Sequence, residues 1–421
     1  MSPSISKTTD TTSRKRLLLL GGGFEQLNAL KIARELGAEI IVFDGHSDAA
    51  CSYAADEFYQ VNIKDHEALI KKVSVLNVDA VFVHAAELAI EAALISETFD
   101  LPGISKSIAI VGTDKVKRSQ CLAKGGVRVP GFVALAGNAK WSGWIEAAKG
   151  CQFPQMIKPT AMAGAQGVKF LKNQEELEDY YRKKQNFSGQ DFLLEEFVSG
   201  SQLSTESVIL NGEVAATNIA LRHYDTTEDL WPFQIEDGHS MPWDVPADLS
   251  IKLESIIDKC RAALGIKTGV LKGDIVVAES GEVIVLEMAV RTSGGRFCDL
   301  VAPVSTGVNI LYPLLQYALG QSPDRAYLQV RRNVGVSQRF VFLPAGTPLR
   351  KNKDIQHIVL HNSVVGHWFR EDIHLLEHVP EIRSHRDRLG YVVCAGETRE
   401  KADMQAKKIV EQIKTVLRAE G

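Results

Sequence analysis

Four consecutive leucines run straight into three glycines, Leu17-Leu18-Leu19-Leu20-Gly21-Gly22-Gly23. An apolar run without polar alternation must be covered on both faces, which is the environment of a central parallel strand. The glycines then give a sharp exit into the next element. FEQLNALKIARELG follows with helical spacing and stops on Gly37, and AEIIVFDG reads as a second strand with Asp44 at its C-terminal end. HEALIKKVSVLN is helical and leads into the strand VDAVFVHA. This strand–helix alternation implies an α/β fold with a doubly wound parallel sheet and ligands at the strand C-termini. The glycine turn is an incomplete GxGxxG, so a phosphate-binding turn and a plain tight turn both stay open.

A second α/β region begins near Thr113. TDKVKRSQCLAKGG is helical with Gly125-Gly126 as its stop, and the strand QMIKP meets the small-residue loop TAMAGAQGV. FLLEEFV and STESVIL read as strands, the latter followed by a hairpin-like NGEVAA. Residues 222–246 read as loop, rich in Trp and Pro. The helix LSIKLESIIDKCRAALG precedes two strands, GVLKGDIVVA and EVIVLEMAV, across a Glu-Ser-Gly turn. From about 335, short strands and a last amphipathic helix near 399–417 form an α+β subdomain. The expected organisation is a disordered tail at 1–16, an N-terminal α/β domain at 17–112, a second domain at 113–325, and the subdomain at 326–421. A chain of 421 residues is long enough for such a division.

Net charge is −4, so nothing marks the chain as a nucleic-acid binder. The six cysteines have neither CxxC spacing nor a disulfide framework, which favours a reducing, cytoplasmic setting. No apolar run is long enough for a membrane span, and the polar N-terminus lacks the apolar core of a secretory signal.

The candidate chemistry is spread along the chain. Lys115 opens a helix, and Lys158 ends a strand just before the loop Ala163-Gly164-Ala165-Gln166-Gly167. Small residues let backbone N–H groups approach phosphate oxygens, and the lysines bring positive charge. The extended, half-apolar Glu195-Glu196-Phe197-Val198 can offer backbone groups to an adenine edge, though an ordinary core strand reads the same way. The sharpest signal is Asp274 and Glu287, 287 − 274 = 13 residues apart across a tight turn. Antiparallel pairing puts both carboxylates on one face, and two hard oxygen ligands beside a triphosphate make a Mg²⁺ (or Mn²⁺) site. Arg291, four residues later and followed by Thr-Ser-Gly-Gly, can grip a carboxylate and stabilise a transferring phosphoryl group.

Together these blocks resemble the ATP-grasp superfamily over most of residues 17–400, which implies that 113–325 is the ATP-grasp domain, with a lid at about 125–197. The matching motifs are Asp114, Lys115 and Arg118; Lys158; the loop 163–167; the hinge 195–198; and the run from Glu287 to Gly295. The resemblance implies that Lys115, Lys158 and the loop residues Gly164, Ala165, Gln166 and Gly167 contact ATP phosphates. It implies that Glu195, Glu196, Phe197 and Val198 hold adenine, that Gln202 stands where a ribose-binding acid is usual, and that Asp274 and Glu287 hold the metals. Many relatives have Asn where this chain has Ala289, so the second metal is expected to have one ligand fewer.

Within the superfamily, PFQIEDGHSMP (232–242), GSQLSTES (200–207) and RDRLGYVVCAGETREKA (386–402) resemble the amino-acid ligases, which make dipeptides or related amides. That likeness implies that Glu206 and His239 face a substrate, and that Arg291, with Ser293, Gly294 and Gly295, meets the reacting carboxylate. His361, His367, His374 and His378 lack metal-ligand spacing and read as solvated surface. The expected activity is carboxylate–amine ligation through an acyl phosphate, releasing ADP and phosphate, with Arg291 and Glu287 catalytic. The expected partners are small-molecule acids and amines, with a homodimer left open and neither nucleic acid nor membrane. The rival readings are a carboxylase or formyl-transfer enzyme of the purine or biotin type, and a nucleotide-binding regulator without turnover.

Overall fold

A computed structural model describes residues 14–187, 189–225, 230–351 and 354–419. Most of the expected tail, residues 1–13, lies outside the described residues. The described chain carries three sheets.

The first sheet is parallel, in the order β3-β2-β1-β4, with β1 Arg16–Leu20, β2 Glu39–Asp44, β3 Glu57–Gln60 and β4 Ala80–Val83. Leu17 to Leu20 are fully buried because both faces are covered: Leu17 and Leu19 join one core cluster, Leu18 and Leu20 another. Each such side chain contributes about 1.5–3 kcal/mol on burial. The strand β3 carries no apolar periodicity that the sequence reading could use, and its first three residues are only half-buried.

The second sheet is antiparallel, in the order β5-β8-β6-β7, with β5 Phe132–Leu135, β6 Gln155–Pro159, β7 Lys169–Leu171 and β8 Phe192–Glu196. The helices Trp141–Ala148 and Gln174–Lys183 cover it around the fully buried Trp144. Loop 163–167 joins β6 to β7.

The third sheet has eight strands in the order β13-β12-β9-β10-β11-β14-β16-β15. Its strands are β9 Ser201–Leu210, β10 Glu213–His223, β11 Gly238–Met241, β12 Gly269–Val277, β13 Val283–Ala289, β14 Gly335–Val341, β15 Val364–Phe369 and β16 Gly390–Gly396. The region 222–246, read from sequence as loop, contains β11, which is buried throughout and pairs with β10 and β14. Its four residues, Gly-His-Ser-Met, have no β-branched or alternating pattern; only their neighbours on both sides make them a strand. Through β11 the sheet runs without a break from the acidic hairpin β12–β13 to the C-terminal strands. The long helix Arg399–Leu417 packs on β14 and β16. Among the described residues no helix is long and apolar enough to cross a membrane.

Candidate active site

The three sheets converge on one cavity of about 1160 Å³. Its walls come from the glycine turn after β1, the lid loop, the hinge after β8, the β12–β13 hairpin and the C-terminal segment 385–391.

The acidic hairpin is its floor. Asp274 and Glu287 are direct cross-strand partners, beside a register shift between Asp274 and Ile275. Antiparallel partners project to the same face, so both carboxylates line the cavity. Asp274 Oδ1 accepts from Lys272 Nζ at 2.6 Å, and its Oδ2 lies 3.0 Å from Arg222 Nη1. Arg118 Nη2 lies 3.4 Å from Glu287 Oε1. Burial opposes ionisation of Glu287, but Arg118, Lys115, Lys272 and Arg291 overcome it and hold its carboxyl well below the usual carboxylate range. Lys272 is also the cross-strand partner of Ala289.

Helix Lys115–Lys124 is capped by Asp114, whose carboxylate accepts from Lys117 N at 3.0 Å. That cap sets Lys115 and Arg118 on the cavity wall. Burial pulls the Lys115 ammonium below the usual lysine range, and its Nζ donates to Met162 O in the lid loop. Lys158 pairs across the lid sheet with Glu195, which is only 2% exposed. The hinge backbone is partly committed: Glu196 N donates to Gly131 O at 2.8 Å and Phe197 N to Pro154 O at 3.0 Å. Val198 and Gln202 also line the cavity.

The lid loop holds Gly164, Ala165 and Gly167 in the left-handed region, with φ of 65°, 61° and 70°. Gly164 O accepts from His385 N at 2.9 Å, so the loop is seated on the C-terminal segment. Gly164 and Ala165 line the cavity, whereas Gln166 and Gly167 do not. Gln166 Nε2 donates back to Ala163 O at 2.8 Å. A Cβ on Gly167 would stand 2.7 Å from Pro159 Cγ, so its glycine serves packing within the lid.

Arg291 lines the cavity with Ser293, Gly294 and Gly295. Its Nη2 pairs with Glu87 from the first domain and its Nη1 donates to Thr292 O at 3.2 Å. Glu206 is fully buried behind the wall: it accepts from Ser293 N at 2.7 Å and Ser293 Oγ at 3.0 Å. Desolvation pushes its carboxyl up to about 7. It therefore stands behind the cavity-lining Ser293 and not on the wall itself. His239 does line the cavity; its Nδ1 donates to Glu236 Oε1 at 3.3 Å and its buried Nε2 has no protein partner. Glu236 Oε2 in turn accepts from Arg222 Nη2 at 3.0 Å. His361, His367, His374 and His378 are all exposed, away from the cavity.

Several cavity residues escaped the sequence reading. Glu236 sits three residues before His239 inside a segment already singled out, and Arg388 lies inside the C-terminal one. Glu87 and Glu25 had no local signal at all, because tertiary contacts with Arg291 and with Gly295 N (2.6 Å) bring them in.

The Asp274–Glu287 pair fits a divalent cation that shares its other ligands with a polyphosphate. Both are hard oxygen donors on adjacent strands, and among the described residues no third acid, His or Cys joins them in a metal-sized group.

Known proteins resemble this chain in sequence over two segments and in fold over most of its length. An ATP-grasp domain model matches residues 151–299, and an L-amino acid ligase C-terminal domain 2 model matches residues 377–418. A carbamoyl-phosphate synthase of Methanobrevibacter smithii is 22% identical over 300 residues, 68% of this chain and 76% of that protein. The crystal structure of an L-amino acid ligase from Bacillus licheniformis superposes with a TM-score of 0.78 at 17% identity, covering 95% of this chain and 98% of the other. The N5-carboxyaminoimidazole synthetase of Staphylococcus aureus, solved with ADP, superposes at 0.72 with 14% identity, over 94% and 97%. Residues 151–299 thus match the ATP-grasp domain and residues 377–418 the second C-terminal domain of the L-amino acid ligases, and the fold as a whole is the one these solved structures share.

Proposed function

We propose that the protein is an ATP-dependent carboxylate–amine ligase that forms an amide through an acyl phosphate. The observation that carries this reading is the cross-strand pair Asp274–Glu287, facing the same cavity as Lys115, Lys158 and Arg291. Cations for a polyphosphate, acids for a metal and a guanidinium for a carboxylate are the parts that phosphorylation of an acid requires.

In this reading Lys115 and Lys158 neutralise the phosphates, and the hinge 195–198 and Gln202 hold the nucleoside. Arg291 aligns the donor, whose carboxylate oxygen attacks the γ-phosphorus while the bond to the β-phosphate oxygen breaks. The amine nitrogen then attacks the acyl carbon, the carbon–oxygen bond to phosphate breaks, and the nitrogen releases a proton. His239, its Nδ1 bonded to Glu236 and its Nε2 without a protein partner, stands on the wall of the same cavity. Asp274 and Glu287 would hold Mg²⁺, which offsets the phosphate charge. The lid loop, seated on His385 N, keeps water from the acyl phosphate.

Profiling nucleotide products over a panel of carboxylates, including amino acids, formate and bicarbonate, singly and in pairs with amines, tests this. The expected products are ADP and phosphate, formed in step with an amide. Stoichiometric AMP would overturn the acyl-phosphate route. ADP formed only with bicarbonate or formate would move the protein to the carboxylase or formyl-transfer reading.

A further inference from the structure

The lid sheet is gripped along its outer edge. β7 ends that sheet, and its Phe170 N–H donates to Pro232 O, 3.2 Å away and outside the sheet. The Phe170 ring stands edge to face against two others, the hinge residue Phe197 at 4.8 Å and Trp231 at 4.7 Å. From the same stretch, Lys169 lies over the Phe233 ring at 5.6 Å and Lys172 over the Trp231 ring at 4.9 Å. Edge-to-face rings and cations over rings attract beyond the area they bury.

This grip holds no core together. Phe170, Phe197 and Trp231 belong to none of the clusters of buried residues, and Trp231 is 39% exposed. What the three rings join is the lid, the hinge and the segment 231–233. Both ends of this chain of contacts reach the cavity: Phe197 lines it, and so does Gln234, next to Phe233. Two residues further on, Glu236 holds the His239 ring. Other ties of the lid are of a different kind. Lys115 Nζ donates to Met162 O, and in the ligase reading that ammonium turns to the phosphates once nucleotide enters. The tie at Gly164 is one backbone bond from His385 N. The Trp231 grip uses neither of the lysines that the phosphates claim, so it persists with nucleotide bound.

We propose that Trp231 is a positioning residue that latches the lid, acting through Phe170 on β7 and on the hinge ring of Phe197, so that the lid stays shut until the amine has reacted. This rests on the ligase reading, and the test separates the two. If the lid opens early, water cleaves the acyl phosphate back to the acid and phosphate, and ATP is spent without amide. Wild-type protein, with the acid–amine pair that gives most amide, should release one ADP per amide. Trp231→Ala should raise that ratio by about 10-fold, with ATP affinity and melting temperature little changed. Trp231→Phe keeps a ring against Phe170 and should stay near the wild-type ratio. Hydrogen exchange supplies a readout that needs no turnover: with Mg²⁺ and ADP bound, amides 168–172 should exchange about 10-fold faster in Trp231→Ala than in wild type. ADP and amide falling in step, a wild-type ratio in Trp231→Ala, or unchanged exchange at 168–172 overturns the latch. If wild-type protein forms no amide with any pair, the ligase reading fails; the exchange measurement then still decides whether Trp231 holds the lid.

Discussion

Arg291, after the last strand of the acidic hairpin, forms an ion pair with Glu87, which follows the last strand of the parallel sheet 204 residues earlier. The contact ties the first domain to the cavity and holds one edge of the guanidinium, while its Nε stays buried without a partner. Lysine at this position keeps the charge for Glu87 but loses the planar fork. Arg291→Lys is expected to lower kcat/KM for the donor acid by about 10²-fold with little change in nucleotide affinity. Steady-state kinetics and melting on the same variant check it. Near-normal kinetics with a large loss of melting temperature would make Arg291 a structural tie and not a substrate clamp.

Lys158 and Glu195 form a buried pair within the lid sheet. Removing the lysine alone leaves Glu195 in a dry site, which costs roughly 3 kcal/mol. Lys158→Ala should therefore weaken ATP binding and lower the melting temperature together. Adding Glu195→Gln should restore most of the melting temperature while leaving nucleotide affinity weak. Calorimetric titration of the double variant decides the matter: recovered ATP affinity would mean that Lys158 acts only through Glu195.

Two carboxylates held by Arg118, Arg222 and Lys272 make a poor metal site until phosphates supply more oxygens. Mg²⁺ alone is expected to leave the melting temperature nearly unchanged, and Mg²⁺ with ADP to raise it by several degrees. Glu287→Gln should abolish ADP formation and the metal-dependent part of that rise. It also leaves Arg118 and Lys115 without their counter-charge, so the protein alone should melt lower. Wild-type turnover in folded Glu287→Gln protein would remove the metal assignment.

Glu206 supplies a pH dependence of known sign. Desolvation raises its carboxyl to about 7 from an ordinary 4.5, so between these values the folded state keeps a proton that the unfolded state has lost. Its stabilising contribution is complete below about 4.5 and is lost as pH rises through about 7, at most roughly 3 kcal/mol in all. Glutamine mimics the protonated acid, so Glu206→Gln should gain melting temperature relative to wild type between pH 5 and 8. Parallel curves for the two proteins across that range would show that Glu206 is ionised throughout.

The sequence by itself determined the elements whose signal is local. Leu17–Leu20 declared a strand buried on both faces, Gly125 and Gly265 declared helix ends, and the 13-residue spacing of Asp274 and Glu287 declared a hairpin with both acids on one face. Lys115, Lys158 and Arg291 were legible because they stand at fixed offsets from such elements. Only the tertiary structure decided the rest. Gly238–Met241 is a strand because β10 and β14 flank it, not because its residues prefer to be one. Glu87 meets Arg291, Glu25 meets Gly295 N, and Arg388 meets the carbonyl of Glu236 across separations of 204, 270 and 152 residues. Such pairs leave no trace in local periodicity, because periodicity records which face of an element is buried and not what that face will touch.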